Sequence, residues 1–218
     1  MGNTKSKFDP AGAKLITPRG AIRFFCLFLL AFGLLMVPWP RVDRTYTRFY
    51  STGASLLFGS FGSTGNVRFE PLNDSACHLQ ITLYNRARLS PNGGDVWVQT
   101  RHNSRHAGYM YVAFLAALIL ATPISWRRKG WALLWGMILI HGLVALKLAL
   151  RITQAFSNEP LSMFVLSPFY KRILSITHQA FAVNATFGFV VCVFIWILVS
   201  FRQRDWPEIV NNRGIHQK

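Results

Sequence analysis

The stretch Trp131–Leu150, WALLWGMILIHGLVALKLAL, decides how the rest of the chain is interpreted. Its 20 residues include one Lys and no Asp, Glu or Arg, and this is about the length that an α-helix needs to cross the hydrocarbon core of a bilayer. Lys147 lies four residues from the end of the stretch, so we expect its amine to snorkel to the membrane surface. His141 lies near the middle, and we expect it to pack against another helix with a hydrogen bond. The stretch therefore predicts a membrane protein.

The composition of the whole chain agrees with that prediction. Of its 218 residues 51% are hydrophobic, the mean hydropathy is +0.27, and Lys and Arg outnumber Asp and Glu by 24 to 8. A soluble nucleic-acid binder rarely combines such a charge with positive mean hydropathy, because its charges need a water-facing surface. That combination is why we expect no nucleic-acid partner. Disordered, collagen-like and disulfide-scaffold chains are also excluded. No Cys/His spacing or glycine-rich phosphate loop appears, so we also expect no metal and no cofactor.

Four apolar stretches predict a mainly α, polytopic membrane protein. We expect transmembrane helices at 21–40, 107–126, 131–150 and 180–201. Pro38-Trp39-Pro40 replaces the small-residue cleavage site of a signal peptide, so the first helix is interpreted as a retained anchor. The basic clusters near the helix ends lie on one side if both termini are cytoplasmic. The chain then crosses the cell's plasma membrane, with cytoplasmic tails at 1–20 and 202–218 and extracytoplasmic segments at 41–106 and 151–179.

The extracytoplasmic segment 41–106 predicts a small β-containing insertion between the first two helices. Thr45–Phe61 has the pattern of an amphipathic or interfacial helix. Three strand-like runs follow, at 66–70, 78–84 and 95–101. In the second run Leu79, Ile81 and Leu83 alternate with polar residues, which is the period of a half-buried strand. Pro91-Asn92-Gly93-Gly94 is a turn signal before the third run, so we expect an antiparallel meander resting on the membrane surface.

Two short motifs follow at the outer ends of the predicted helices. Lys147–Ile152 ends the third helix, and His178-Gln179-Ala180-Phe181 opens the fourth. This order of features resembles the exosortase/archaeosortase family, membrane cysteine proteases or transpeptidases that process C-terminal sorting signals at the outer face. The resemblance implies that Arg151 and His178 are catalytic. Asn103–Gly108 occupies the region where the family carries its nucleophilic cysteine, and it contains none, so the resemblance is to a degenerate member.

Further side chains are candidates for the site. Cys77, which lies outside the apolar runs, and Ser104 are the candidate nucleophiles. Arg105 and His106 are candidate partner-binding residues at the entry to the second predicted helix. Taken alone, Arg151 is also explained as a cation at a helix C-terminus that contacts lipid phosphate.

These residues lead to two expectations about function. The first is an exosortase-like protein that processes or sorts envelope and secreted proteins, as a cysteine or serine peptidase or transpeptidase if it is an enzyme. The alternative is a non-catalytic accessory or scaffold subunit of a membrane complex. The expected partners are the lipid bilayer and either C-terminal sorting segments or an anionic envelope polymer, because the outer segments carry excess positive charge. A transporter has less support, because the predicted helices show few charges and no inverted repeat.

Overall fold

The computed structural model describes residues 18–72, 78–89, 95–164 and 166–201. Its helices and strands are α1 (Pro18–Met36), α2 (Pro40–Phe58), β1 (Ser60–Phe61), β2 (Gly65–Pro71), β3 (His78–Leu89), β4 (Asp95–Asn103), α3 (Met110–Ala121), α4 (Trp126–Ser157), α5 (Pro168–Thr177) and α6 (Ala185–Ser200). Two π-helical turns, Arg105–Tyr109 and His178–Val183, precede α3 and α6. The chain is thus mainly helical with one small sheet. Cys77 lies outside the described residues, as do most of the predicted N-terminal tail and all of the C-terminal tail.

Prolines and one capping side chain set several of the helix ends. Pro38 lies two residues after the end of α1, and Pro40 occupies the first turn of α2, where its missing N–H costs no hydrogen bond. Pro123 lies two residues after the end of α3. At the start of α6 the Asn184 Oδ1 accepts a hydrogen bond from the backbone N–H of Thr186 at 3.0 Å. Asn184 therefore caps α6 and separates it from the π-helical turn before it.

Two described helices, α1 and α4, are long and apolar enough to cross a membrane by length and composition. The 32-residue α4 contains the predicted span 131–150 and extends past both of its ends. The predicted span 180–201 differs from the structure, because 168–183 and α6 meet at a bend of 69° and form one candidate span only when taken together. Helix Arg105–Ala121 is apolar but shorter. Two or three helices can thus cross a membrane, and the full set of four spans stays a prediction.

The chain divides into two compact units. The first takes Met1–Met36, Ala113–Ile138 and Cys192–Lys218, and the second takes Val37–Val112 and Leu139–Val191. In the first unit, Phe28 and Phe32 of α1 place their rings edge-on against Phe114 of α3, with centroids 5.4 and 5.6 Å apart. In the same unit, a Cβ on Gly136 of α4 would lie 3.3 Å from the Leu115 side chain. Glycine therefore permits close packing of these two helices.

The second unit contains a four-stranded antiparallel meander with the strand order β1-β2-β3-β4. Three of the strands contain or overlap the predicted runs, and the two-residue β1 is an addition. Leu79, Ile81 and Leu83 are all buried, as the predicted inward face of β3 requires, and Leu83 pairs with Val67 of β2; Thr82, on the opposite face, is buried as well. Gly62 forms the turn between β1 and β2 with φ +68°, a conformation that side-chain-bearing residues rarely adopt. The predicted antiparallel meander is therefore confirmed.

Helix α2 packs against β2 through an unusual face. Its buried residues recur at helical spacing and are mostly polar or small: Asp43, Thr47, Tyr50, Ser51 and Ala54. The exposed stripe is apolar, with Val42, Phe49 and Leu56 seven residues apart and Leu56 86% exposed. A helix on a water-soluble protein has the reverse arrangement. The exposed stripe of α2 is typical of a helix that lies at a lipid surface, the position predicted for Thr45–Phe61.

Candidate functional site

A polar cavity of about 200 Å³ lies within the second unit. It lies at the end of β4 and beside the second half of α4. Its polar lining includes Tyr50, His102, His106, Lys147 and Arg151, and none of the described residues that line it carries a carboxylate. Lysine and arginine in a partly desolvated cavity attract negative charge more strongly than they do in water. The cavity therefore has the electrostatics of a site for an anionic group.

Arg151 connects two walls of this cavity. Its Nη1 lies 3.0 Å from the Nδ1 of His102, at the end of β4. Its Nη2 donates to the backbone carbonyl of Ala182, in the π-helical turn 178–183, at 2.9 Å. The planar guanidinium fork holds its two partners in fixed directions. Arg151 thus ties the strand end and the π-helical turn to helix α4.

His102 is held in a neutral form by its surroundings. Burial, and then the positive charge of Arg151, lower the pKa of His102 to about 4. Because the guanidinium can only donate, the Nδ1 of His102 accepts, and the ring proton resides on Nε2. That nitrogen lies 3.3 Å from the hydroxyl of Tyr50, whose pKa burial raises to about 12. A histidine with so low a pKa is a weak base at neutral pH, so His102 is better suited to orient Arg151 than to remove protons.

Lys147 lies one turn before Arg151 on α4 and is only 7% exposed. Its Nζ donates to the hydroxyl of Tyr111 at 3.1 Å and lies 4.5 Å from the centroid of the same ring. The expectation that Lys147 snorkels is therefore wrong, because the amine is directed into the cavity and held there by Tyr111. The two cations are separated by about 6 Å along the helix axis.

An apolar groove of about 140 Å³ adjoins the cavity in the same unit. The two share Tyr50, Val144 and Leu148 as lining residues. His141 lines the groove, and its ring packs edge-on against Phe49 with centroids 5.3 Å apart. The second unit thus places a cationic cavity next to an apolar groove, which suits a ligand with a negatively charged and an apolar part.

Ser104 is placed away from the cavity lining. It is 1% exposed, and its Oγ lies 2.7 Å from the Oγ1 of Thr47. The Thr47 hydroxyl in turn donates to the backbone carbonyl of Asp43 at 2.8 Å, so the Ser104 hydroxyl donates to Thr47. A buried hydroxyl held in this way does not reach a substrate in the cavity without rearrangement. The other candidate nucleophile, Cys77, lies outside the described residues.

The two candidate partner-binding residues have different environments. Arg105 Nη1 forms an ion pair with Asp43 Oδ2 at 3.0 Å, and the two side chains are only 14% and 9% exposed. This pair connects the first π-helical turn to α2, so Arg105 has a structural role. His106 is exposed and lines the cavity, with its Nδ1 3.0 Å from the Sδ of Met110. His106 is thus the one of the two that can meet a ligand there.

Both π-helical turns lie beside the cavity. His178 is half-buried and begins the turn that contributes Ala182 and Val183 to the lining, although His178 itself is not a lining residue. The first turn, Arg105–Tyr109, contributes His106. It also contains Gly108, where a Cβ would collide with the hydroxyl of Tyr46. Isolated π-helical turns are rare in proteins, and those that are found frequently lie at functional sites.

No functional role was predicted from the sequence for His102, Tyr50 or Tyr111. One signal could have found His102: Val96 and Val98 share an inward face of β4, and the strand period places residue 102 on that face. The predicted run ended at residue 101, whereas β4 continues to Asn103. Tyr50 and Tyr111 carry no local signal, because their roles depend on which helices meet.

The fold and the cavity define a mainly helical chain with apolar helices able to cross a membrane, a small antiparallel sheet and a cationic site. No family model, curated protein or solved structure matches the chain. The family suggested by the motifs therefore stays a prediction.

Proposed function

We propose that the chain is an exosortase-like integral membrane protein that acts at the outer face of the plasma membrane, in the processing or sorting of envelope and secreted proteins. In this proposal it crosses the membrane four times, with both termini cytoplasmic. The sheet and the cavity of the second unit then belong to the outer side. The cavity receives a segment of the protein that is sorted.

The observation that carries the proposal is the hydrogen bond from Arg151 to the carbonyl of Ala182, at 2.9 Å. Arg151 and the turn that begins with His178 are the two motifs on which the family resemblance rests, and they are distant in sequence. Their direct contact beside one cavity is what a shared site requires. Arg151 is then positioned to hold a carboxylate or a developing oxyanion, which are the charges that a guanidinium fork binds well.

A role without catalysis has support from a separate observation. The hydroxyl of Ser104, in the region that the resemblance assigns to the nucleophile, is buried and bonded to Thr47. His102 is a weak base in its present environment. The alternative is therefore an accessory or scaffold subunit that uses the same cavity to hold a sorting segment or an anionic envelope polymer without cleaving it.

Alanine substitutions in the organism that encodes the chain test the proposal. We expect Arg151→Ala and His178→Ala to leave unprocessed or missorted envelope proteins, detected by mass spectrometry of the envelope fraction. Arg101→Ala is a matched control, because Arg101 adjoins His102 on β4 but is exposed and does not line the cavity. Each variant is quantified in membranes by immunoblot, so that loss of the protein is separated from loss of function. Normal processing in both variants at normal abundance would refute the proposal.

The candidate nucleophiles separate catalysis from an accessory role. If Cys77→Ala or Ser104→Ala abolishes processing while the protein remains abundant, the enzyme is favoured. If both retain processing and Arg151→Ala does not, the chain binds rather than cleaves. Cysteine accessibility tests the topology in a chain whose native Cys26, Cys77 and Cys192 are replaced by serine. A cysteine introduced at Asn158 should react with an impermeant maleimide in intact cells, and one at Gly130 should react only after lysis. Equal labelling of both sites would exclude the four-span arrangement.

A further inference from the structure

The first unit carries positive charge with no negative charge to balance it in its described part. Residues 18–36, 113–138 and 192–201 contain five basic residues and no Asp or Glu. Three of the five are consecutive, Arg127, Arg128 and Lys129, and they form the first turn of α4. The positive end of a helix dipole disfavours cations at this position. An anion that binds here from outside this part of the chain would offset the repulsion between these cations and the helix dipole.

A cavity lies at this turn, within the first unit. Its volume is about 320 Å³, and it is lined by Ser125, Arg127, Arg128, Trp131 and Val199. Cavities of roughly 300 Å³ and more are large enough for a small ligand. Two arginines and a hydroxyl are suitable donors for a phosphate group, which a guanidinium binds through parallel hydrogen bonds.

Two of the three cations already have structural roles. Arg128 Nη2 donates to the carbonyl of Ser200 at 3.3 Å, and Lys129 Nζ donates to the carbonyl of Leu120 at 2.6 Å. Both carbonyls lie in the last turn of a helix, where cations are favourable. The side chain of Arg127 is exposed at the cavity and has no hydrogen bond or ion pair with residues 18–72, 78–89, 95–164 and 166–201. Its guanidinium is the one available to a ligand.

An apolar stripe leads from the cavity along α4. Trp131, Leu134, Trp135 and Ile138 recur at spacings of three and four residues, so they share one face of the helix, and each is more than half exposed. The exposed Trp126 begins the helix at the same end as the basic turn, as expected for a residue at the membrane–water boundary. A phosphate site at one end of an apolar stripe matches the two parts of a phospholipid.

We propose that this cavity binds the headgroup of an anionic phospholipid. The guanidinium of Arg127 contacts the phosphate while Arg128 stays bonded to the carbonyl of Ser200, and the acyl chains lie along the stripe from Trp131 to Ile138. Basic cavities between helices at a membrane surface are suited to such headgroups. This site is in the first unit and does not depend on the proposed function of the second. The alternative occupant is the chain's own segment 202–218, which contains Asp205 and Glu208.

Native mass spectrometry of the purified full-length protein tests the site, with phosphatidylglycerol or phosphatidylcholine added to the detergent solution. We expect one phosphatidylglycerol to be retained in preference to phosphatidylcholine. Arg127→Gln should weaken retention about fivefold, the effect of removing one basic residue near a lipid surface. Arg23→Gln is the matched control, because it removes one exposed cation from the same unit away from this cavity, and it should leave retention unchanged. Equal retention of the two lipids, or equal loss in the control, would overturn the proposal.

Further measurements distinguish a bound phospholipid from the other possible occupants of the cavity. If the C-terminal segment fills the cavity, the wild type shows no preference for phosphatidylglycerol and Asp205→Asn with Glu208→Gln creates one, and the proposal fails. Displacement of the bound lipid by inorganic phosphate alone also refutes it, because the site then takes a free anion. Quenching of tryptophan fluorescence by brominated phosphatidylglycerol, compared with brominated phosphatidylcholine, needs no variant. Stronger quenching by the anionic lipid supports the site, and equal quenching contradicts it.

Discussion

The low pKa of His102 leads to a prediction about pH that can be worked out from the structure. Burial is the first cause and Arg151 the second, and together they lower the pKa to about 4. In the unfolded chain the pKa of a histidine is about 6.5. Between these values the unfolded state binds a proton that the folded state does not bind. The contribution of His102 to stability is therefore fully present above about pH 6.5 and is lost progressively as the pH falls to about 4.

The size of the effect follows from the difference between the two pKa values. One pKa unit corresponds to about 1.4 kcal/mol, so the complete loss is about 3 kcal/mol, of which about 2 kcal/mol is lost by pH 5. Chemical unfolding in detergent at about pH 7.5 and about pH 5 should show this loss in the wild type and a smaller one in His102→Gln. Comparing the two proteins removes the contribution of every other titrating group.

The ring resonances of His102 provide a direct measurement by NMR, and they are assigned by their disappearance in His102→Gln. We expect them to remain unchanged as the pH falls from about 8 to about 5, because the ring stays neutral in this range. Arg151→Gln should raise the pKa of His102, but not to its ordinary value, because burial is the larger cause. Arg101→Gln, which removes an exposed cation on the same strand, is the control. A wild-type pKa above about 6, or no response to Arg151→Gln, would refute the reasoning.

Three further predictions concern stability, measured as the midpoint of chemical unfolding in detergent. Arg105→Ala leaves the buried carboxylate of Asp43 without its cation and should cost about 3–5 kcal/mol, and the double variant with Asp43→Asn should recover part of the loss. Gly108→Ala places a methyl group against a tyrosine hydroxyl and should cost about 1–3 kcal/mol, whereas Gly142→Ala meets nothing within 4 Å and should be neutral or stabilising. Equal midpoints for the two glycine variants would contradict this packing. Leu79→Ala empties a fully buried position of β3 and should cost about 2–5 kcal/mol, and a cost below about 1 kcal/mol would contradict the sheet core.

Sequence patterns predicted those helices and strands that are determined by interactions between neighbouring residues. The alternation of Leu79, Ile81 and Leu83 with polar residues identified a strand, because successive side chains of a strand point to opposite faces of the sheet. The apolar length of 131–150 identified a long helix, and Pro38 and Pro40 mark the break between α1 and α2. These features could be predicted because each depends on neighbouring residues alone.

The rest of the site depends on contacts between distant residues. The burial of Lys147 follows from the position of Tyr111, which no local pattern encodes. The bend before α6 depends on a polar cap, and Asn184 inside an apolar run gave no indication that it would interrupt the helix. Arg151 was identified from its position at a predicted helix end, but its partner His102 came from a strand 49 residues earlier in the chain.

The two π-helical turns have a consequence for how the cavity can change in evolution. A π-helical turn contains an extra residue relative to an α-helical turn, so loss of one residue there can restore an ordinary α-helix without breaking it. Such a deletion in Arg105–Tyr109 or His178–Val183 would rotate one part of the chain relative to the next by about 100°. It would redirect His106 or Ala182 while leaving the sheet and α4 intact. A single-codon deletion could therefore alter which ligand the site accepts, at a smaller structural cost than a change in the apolar helices that are long enough to cross a membrane.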